Sequence, residues 1–460
     1  MNISEIKDQI KSSSARSVVE NAIKLAKDNS DYHALLNLTE KRALKRADEV
    51  DAGKITGKLA GVPFVVKDNF LAFGAPTTAA SKMLEKFDAP LQATAVAKLE
   101  AEGAICIGKA NLDAFAHGGS TENSAFGPTK NAFDPTRVAG GSSGGSAVIT
   151  ALKVVPFALG SDTGGSIRQP ASFNGVVGVK PTYGTVSRYG VVAMASSTDV
   201  IGSFTNNVAD AETIMDIISG RDDRDMTTLP DFFEIQPEAK TGQKIGLIKD
   251  FMTDGVDKDV RDRTNEYIEK MRANGHTVEE VSLPMAEYAL AIYYILVPAE
   301  LSSNLARYDG IRYGHRAAGA KTLAELYGQT RDEGFVTENK RRIMIGSYVL
   351  SSGFFDAYYL QAQKARTLLI NEFNELFKQY DVLVGPVAPT PAFKIGENTS
   401  DPIKMYLGDI MTVPTSLAGL PAISVPAGVS ESGLPIGVQL MGPNCSDARL
   451  LALARSLEEK

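Results

Sequence analysis

The chain has 460 residues, of which 43% are hydrophobic and 22% charged, as is typical of a globular protein with a full core. Its net charge of −7 argues against a general polyanion binder, because nucleic-acid-binding domains usually carry a basic excess. Two cysteines, Cys106 and Cys445, do not suggest a disulfide framework, and Met1–Lys7 does not resemble a secretory signal, so we expect a cytoplasmic protein.

The first half of the chain predicts alternating helices and strands. Residues 1–55 are predicted to form N-terminal helices, since their apolar residues recur at helical spacing. An apolar strand follows Gly61 and ends at Lys67, and further strands are predicted at 104–108, 154–159 and 176–179. This alternation predicts an α/β fold with a large mixed, mostly parallel central sheet covered by helices on both faces.

The second half predicts a helical insertion within the same domain, which we expect to span residues 1–460. Strands are predicted at 244–248 and 277–281, at 382–384, and at 422–425 and 436–439, with a closing helix from about Ser446. Residues 285–378 between them are mostly helical and are predicted to form a cap that lines a pocket. The most apolar run there, Tyr288–Ala299, is too short to span a bilayer.

Two loops rich in glycine and serine, Gly140–Ser146 and Gly160–Ser166, are the main functional candidates. Glycine lets backbone N–H groups approach a ligand, and a neighbouring hydroxyl can act as a nucleophile or proton relay. A phosphate-binding loop is one interpretation, but the G-x-x-x-x-G-K-[ST] pattern is missing. A nucleophile elbow is another, because Gly140–Gly144 matches G-x-S-x-G. That mechanism requires a downstream histidine. His276 and His315 are the two candidates, and neither lies in a loop that resembles a catalytic one.

A third interpretation uses a lysine as the base. A serine hydroxyl is a weak nucleophile until a base accepts its proton. An ordinary lysine is protonated at neutral pH, but burial lowers its pKa by favouring the neutral amine. Lys67 ends an apolar strand, so we expect its side chain to project into a pocket closed by the two loops.

The two loops, continued by Ile167–Ala171, resemble the signature of the amidase-signature family. The segments Ser120–Thr129 and Val179–Gly190 narrow the resemblance to the branch that releases ammonia from glutamine for tRNA-dependent amidotransferases, and the resemblance covers essentially the whole chain. It implies a Ser–cis-Ser–Lys triad. In that triad Ser166 is the nucleophile, Ser142 the relay and Lys67 the base.

The resemblance also implies an oxyanion site and a glutamine pocket. The oxyanion site would use the backbone N–H groups of Thr163, Gly164, Gly165 and Ser166, and we expect Ser166 to open a helix whose N-terminus strengthens it. Arg342 would bind the α-carboxylate of glutamine, Asp409 the α-ammonium group, and Tyr293 would line the pocket. Three positions depart from the family pattern: Ala132 and Ala139 replace common prolines, and Ser416 replaces a common asparagine.

The implied setting is a heterotrimer with amidotransferase subunits B and C. No metal or cofactor is expected in this chain, since ATP and magnesium would bind the B partner, and tRNA would be contacted mainly through that partner. Two alternatives stay open from the sequence. One is a free-standing amidase of small amides, and the other is a non-enzymatic module whose loops hold an anion.

Overall fold

The computed structural model describes residues 1–399 and 401–458 and is organised around an 11-stranded sheet. In chain order the strands are β1 Leu35–Leu38, β2 Pro63–Lys67, β3 Ile105–Ala110, β4 Phe157–Asp162, β5 Val177–Lys180, β6 Val200–Thr205, β7 Lys244–Ile248, β8 Thr277–Val281, β9 Val382–Pro386, β10 Ala422–Val429 and β11 Pro435–Met441. Across the sheet their order is β1-β3-β2-β4-β6-β5-β10-β11-β9-β7-β8. The predicted mixed α/β sheet is confirmed.

The sheet is less parallel than the sequence predicts. Parallel pairing is confined to two groups, β3-β2-β4 and β9-β7-β8. Every other pair of neighbouring strands is antiparallel, including the whole centre from β4 to β9 and the edge strand β1. A short turn can join antiparallel strands, as between β10 and β11, whereas each parallel pair needs a crossover. The description "mostly parallel" is therefore wrong.

The helices follow the predicted positions closely. They are α1 Ile3–Ser12, α2 Ala15–Asp28, α3 Glu40–Asp51, α4 Thr94–Ala101, α5 Gly144–Ala151, α6 Arg168–Phe173, α7 Val208–Ile218, α8 Lys258–Ala273, α9 Ala286–Asn304, α10 Leu323–Gly334, α11 Thr337–Val349, α12 Leu360–Leu376, α13 Pro402–Leu407, α14 Val413–Leu417 and α15 Asp447–Glu458. A π-helix at Phe355–Tyr359 leads into α12. The strands β1 and β6 and the short helices α13 and α14 were not predicted.

Helices cover both faces of the sheet, and the alternation of side chains in the strands shows how. In β2, Phe64 and Val66 pack into a core formed with α4, α7, α8 and α15. Val65, which lies between them, packs on the opposite face with α2, α3 and α5. Strands buried on both faces are apolar at nearly every position, which explains the unbroken apolar run that ends at Lys67.

The predicted helical insertion, residues 285–378, forms α9 to α12. Helix α9 packs against α11, α12 and α14, and its apolar side chains share a core with β9 and β11. By length and composition, Ala286–Arg307 is the one candidate membrane span in the described part of the chain, and half of its apolar window is buried inside the protein. The division of the chain into domains stays a prediction.

Candidate active site

The site is built where two parallel strands end side by side. Strand β2 ends at Lys67, and its neighbour β4 continues into Ser161 and Asp162, with Val66 in register with Leu159. The Nζ of Lys67 lies 2.8 Å from the Oγ of Ser142, 3.0 Å from the Oγ of Ser161 and 3.3 Å from the carbonyl oxygen of Ser161. The structure therefore brings Lys67 and the first glycine loop together as predicted.

Lys67 is completely buried, and its burial lowers the pKa of its ammonium group to about 7. Desolvation is the main cause, because a charged group loses its hydration inside the protein. The lowering is opposed by three nearby carboxylates, Asp113, Asp162 and Asp199. A neutral lysine has two N–H bonds and one lone pair. Ser161 offers acceptors for both N–H groups, which leaves the lone pair for the hydroxyl of Ser142.

Ser142 is held in place by hydrogen bonds that the backbone of the first loop makes to neighbouring segments. The Gly141–Ser142 peptide bond is cis, as the family resemblance implies. The N–H of Gly141 donates to the side chain of Gln169, and the N–H groups of Ser143, Gly144 and Gly145 also have acceptors. A phosphate cradle needs free N–H groups aimed at the ligand, so this loop does not form one.

The second loop is organised around the buried carboxylate of Asp162. Its oxygens accept the backbone N–H groups of Gly165, Ile167 and Arg168, and the guanidinium group of Arg168 as well. Helix α6 begins at Arg168, two residues after the predicted start at Ser166. The N–H groups at that end are only partly open, because Asp162 accepts those of Gly165, Ile167 and Arg168.

The predicted oxyanion donors divide into two kinds. Within residues 1–399 and 401–458, the backbone N–H groups of Thr163, Gly164 and Ser166 have no hydrogen-bond acceptor. The N–H of Gly165, by contrast, donates to Asp162 at 2.8 Å and is not available in this structure. Ser166 is 9% exposed, and its carbonyl accepts the N–H of Ser143 at 3.2 Å, so the two loops meet beside the candidate nucleophile.

Tyr293 and Thr412 enclose the second loop from two sides. A Cβ placed on Gly164 would lie 2.7 Å from the Cζ of Tyr293, and a Cβ on Gly165 would overlap the hydroxyl of Thr412. The Oγ1 of Thr412 donates to the carbonyl of Gly164 at 2.6 Å. Glycine is required here because larger residues would displace these neighbours. Tyr293 therefore lies against the second glycine loop, and its role in lining a substrate pocket stays a prediction.

Arg342 and Asp409 place opposite charges in the same region. Arg342 is buried on α11, where its Nε donates to Glu338 at 2.7 Å and its guanidinium group lies over the rings of Tyr294 and Tyr406. These surroundings raise the pKa of Arg342, so it keeps its charge. Burial raises the pKa of Asp409 to about 7, and the charge of Arg342 partly opposes that rise.

A chain of contacts connects Asp409 to the first loop. A Cβ on Gly119 would lie 3.5 Å from the Oδ1 of Asp409, and the carbonyl of Gly119 accepts the side chain of Gln169 at 2.8 Å. The other end of the Gln169 amide accepts the N–H of Gly141, next to Ser142. Gln169 thus holds the two regions together, and this role was not predicted.

The two histidines downstream of the first glycine loop, His276 and His315, lie in other parts of the fold. His276 lies at the start of β8, where its Nδ1 accepts the N–H of Gln243. His315 contacts Glu333 on the surface, 2.6 Å from its Oε2. Neither contact involves the glycine loops, so the nucleophile-elbow interpretation is not supported. Among the described residues, no cluster of three or more His, Cys, Asp or Glu side chains is suited to a metal ion.

Other residues that shape the site were missed for a common reason: their roles depend on contacts remote in sequence. They are Asn69, Asp113, Ser161, Asp162, Arg168, Glu338 and Thr412. Asp162 and Arg168 lie within the signature segment, which was the available signal. Ser416, the residue that replaces asparagine, has a defined place: its hydroxyl lies 3.2 Å from Asp162 and 2.8 Å from Arg168.

The sequence profile of the amidase family matches residues 17–451. The chain belongs to the amidase family. It is 51% identical over 445 residues to the A subunit of the glutamyl-tRNA(Gln) amidotransferase of Thermosynechococcus vestitus, covering 95% of this chain and 92% of that protein.

Solved structures of amidase-family members share the fold over the whole chain. The crystal structure of the glutamyl-tRNA(Gln) amidotransferase A subunit from Thermotoga maritima superposes with a TM-score of 0.83 at 39% identity, covering 100% of this chain and 94% of that one. A bacterial aryl acylamidase of the amidase-signature family gives a TM-score of 0.87 at 26% identity, covering 100% and 96%. The amidase fold is therefore shared by proteins with different substrates.

Proposed function

We propose that this chain is the glutamine-hydrolysing subunit of a glutamyl-tRNA(Gln) amidotransferase and that it uses a Ser–cis-Ser–Lys triad. The observation that carries the proposal is the fully buried Lys67, whose Nζ lies 2.8 Å from the Oγ of Ser142 beside Ser166. A lysine with a pKa of about 7 is neutral in a large fraction of molecules at neutral pH, so it can accept a proton.

In the acylation step, the Oγ of Ser166 attacks the carboxamide carbon of glutamine. The Ser166 proton passes to the Oγ of Ser142, and the Ser142 proton passes to the Nζ of Lys67. The carbonyl oxygen becomes an oxyanion and binds the free N–H groups of Thr163, Gly164 and Ser166. Such preorganised donors commonly supply about 3–4 kcal/mol each to the transition state. Gly165 does not donate to the oxyanion. It contributes because its lack of a side chain leaves room for Thr412 and because its N–H bonds to Asp162.

The leaving group then departs as ammonia. The proton on Lys67 returns through Ser142 to the amide nitrogen, the C–N bond breaks, and a glutamyl ester remains on Ser166. Water attacks the carbonyl carbon of this ester, and its proton moves through the relay to Lys67. That proton then returns through Ser142 to the Oγ of Ser166 as the ester bond breaks, and glutamate is released. The same three side chains therefore perform both halves of the reaction.

Substrate selection rests on the charges of Arg342 and Asp409. The guanidinium group of Arg342 binds the α-carboxylate of glutamine, and the carboxylate of Asp409 binds the α-ammonium group. Tyr293 lines the pocket on the side of the second loop, because its ring lies against Gly164. A neutral aliphatic amide would leave the carboxylate of Asp409 without a counter-charge and would leave Arg342 with only its bond to Glu338, which is costly in a buried site.

The wider setting is also part of the proposal. The B and C partners complete a cytoplasmic heterotrimer, in which ammonia passes to the B partner. ATP, magnesium and most tRNA contacts belong to that protein. The support is the 51% identity to a glutamyl-tRNA(Gln) amidotransferase A subunit together with the net charge of −7, which does not suit a chain that binds tRNA by itself.

The test is ammonia release from glutamine by the purified chain, alone and co-purified with the B and C partners. We expect hydrolysis that rises in the complex, together with conversion of Glu-tRNA(Gln) to Gln-tRNA(Gln). Ser166→Ala should abolish both reactions and leave complex formation intact. Rapid hydrolysis of small aliphatic amides by the isolated chain, with no activity on glutamine in either preparation, would establish a free-standing amidase instead.

A further inference from the structure

One peptide group in the second glycine loop is held at both of its ends. The group between Gly164 and Gly165 donates its N–H to the carboxylate of Asp162 at 2.8 Å, and its carbonyl accepts the hydroxyl of Thr412 at 2.6 Å. A peptide group is planar, so fixing its oxygen and its N–H fixes the orientation of the whole plane. The free N–H groups of Gly164 and Ser166 lie immediately on either side of it.

Thr412 is itself held firmly enough to act as a fixed support. Its backbone carbonyl accepts Arg168 at 2.9 Å, and Arg168 also binds Asp162, the residue at the other end of the peptide group. Its backbone N–H donates to the carbonyl of Asp409 at 3.1 Å. The residue is fully buried. Thr412 and Asp162, the two residues that hold the peptide group, are therefore both bound to Arg168.

We propose that Thr412 is a positioning residue for the oxyanion site, whose hydroxyl fixes the Gly164–Gly165 peptide group so that the flanking N–H groups point at the reacting carbonyl. This inference rests on the proposed amidase chemistry and extends it to a residue outside the triad and the predicted pocket. Charge develops on the substrate oxygen in the transition state, so misaligned donors lower kcat more than they weaken substrate binding.

The close packing around the loop agrees with this role. A Cβ on Gly165 would overlap the hydroxyl of Thr412, which shows how near the two groups lie. Thr412 also links the loop to the candidate ammonium-binding residue, because its hydroxyl lies 3.2 Å from the carbonyl of Asp409. The region that binds the substrate and the region that stabilises its transition state thus meet at one side chain.

The test compares Thr412→Val, Thr412→Ser and the control Thr415→Val in the complete complex. Thr415 is a fully buried threonine three residues later, and its hydroxyl contacts the sulfur of Met441 at 3.2 Å. We expect Thr412→Val to lower kcat for glutamine by about 10- to 100-fold with KM changed less than about threefold. Thr412→Ser keeps the hydroxyl and should restore kcat to within about threefold of wild type.

Each outcome decides the matter. Wild-type kcat in Thr412→Val, a rise in KM alone, equal losses in Thr412→Ser and Thr412→Val, or an equal kcat loss in Thr415→Val would overturn the positioning role. If the wild type cleaves a small amide but not glutamine, the glutamine assignment fails, and the same comparison of kcat on that amide still tests Thr412. A Ser166→Ala variant that keeps full activity would overturn both proposals.

Discussion

The Nζ of Lys67 lies 2.8 Å from the Oγ of Ser142, and the ammonium group is completely removed from solvent. This contact joins the end of a central strand to a loop 75 residues later in the chain. Burial alone does not distinguish a base from a structural lysine, since Lys180 is also fully buried and has its pKa lowered to about 7. The distinguishing feature of Lys67 is its serine partner.

The two buried lysines provide a matched pair of variants. Lys67→Met should lower kcat for glutamine by at least about 1,000-fold, because the proton of Ser166 then has no final acceptor. Lys180→Met removes a buried amine whose bond is to the carbonyl of Pro181, and it should keep kcat within about tenfold of wild type. Steady-state ammonia release measures both, with unfolding midpoints as a check on the fold. Comparable losses in the two variants would mean that Lys67 acts structurally.

The dependence of activity on pH should differ between kcat/KM and kcat. In the proposed mechanism Lys67 must be neutral and Asp409 must be ionised. Both groups have a pKa of about 7, so both requirements favour higher pH. In the free enzyme, kcat/KM should fall about 100-fold from its plateau at one pH unit below these pKa values. Bound glutamine keeps Asp409 ionised through its ammonium group, so kcat should fall only about tenfold there.

Asp409→Asn is the control for this profile. It removes one titrating carboxylate, so the slope of log kcat/KM should drop from about two to about one on the acidic side. KM for glutamine should rise as well, because the ammonium group loses its counter-charge. A flat wild-type profile from about pH 6 to pH 8 would contradict a lysine base with the lowered pKa.

Arg342 and its neighbour Arg341 test substrate selection. Arg342→Met should raise KM for glutamine by about 100-fold or more, because a charge-assisted pair with the α-carboxylate is lost. Arg341→Met is the control, since that side chain is 42% exposed and also contacts Glu338. We expect the control to change KM by less than about threefold. Unchanged KM in Arg342→Met would place the substrate carboxylate elsewhere.

Two helical glycines test how closely the helical insertion packs. A Cβ on Gly346 of α11 would overlap the carbonyl oxygen of Pro298 in α9, whereas Gly328 of α10 has open space around it. Gly346→Ala should lower the free energy of unfolding by about 1–3 kcal/mol through overpacking. Gly328→Ala should raise it by up to about 1 kcal/mol through helix propensity. Denaturant titration measures both, and stabilisation by both would contradict the close approach of α9 and α11.

Local patterns in the sequence were sufficient to predict most helices and strands and to single out the two glycine loops and Lys67, whereas the triad roles were assigned through the family resemblance. Helices and buried strands are recognisable from the spacing of their apolar residues, so most positions were predicted, including the strand that ends at Lys67. The two glycine loops were identified by composition, because glycine next to serine is typical of tight turns and binding loops. Arg342, Asp409 and Tyr293 had no such local signal and were found through the family resemblance.

Other features depend on contacts between distant segments and exist only in the folded chain. Strand direction in the centre of the sheet, the edge strand β1 and the start of α6 were not encoded in local patterns. The N–H of Gly165 was predicted to be free, yet it binds Asp162, because the loop folds back over that carboxylate. The lowered pKa of Lys67 likewise requires surroundings that only the assembled sheet and loops supply, since desolvation is a property of the packed interior.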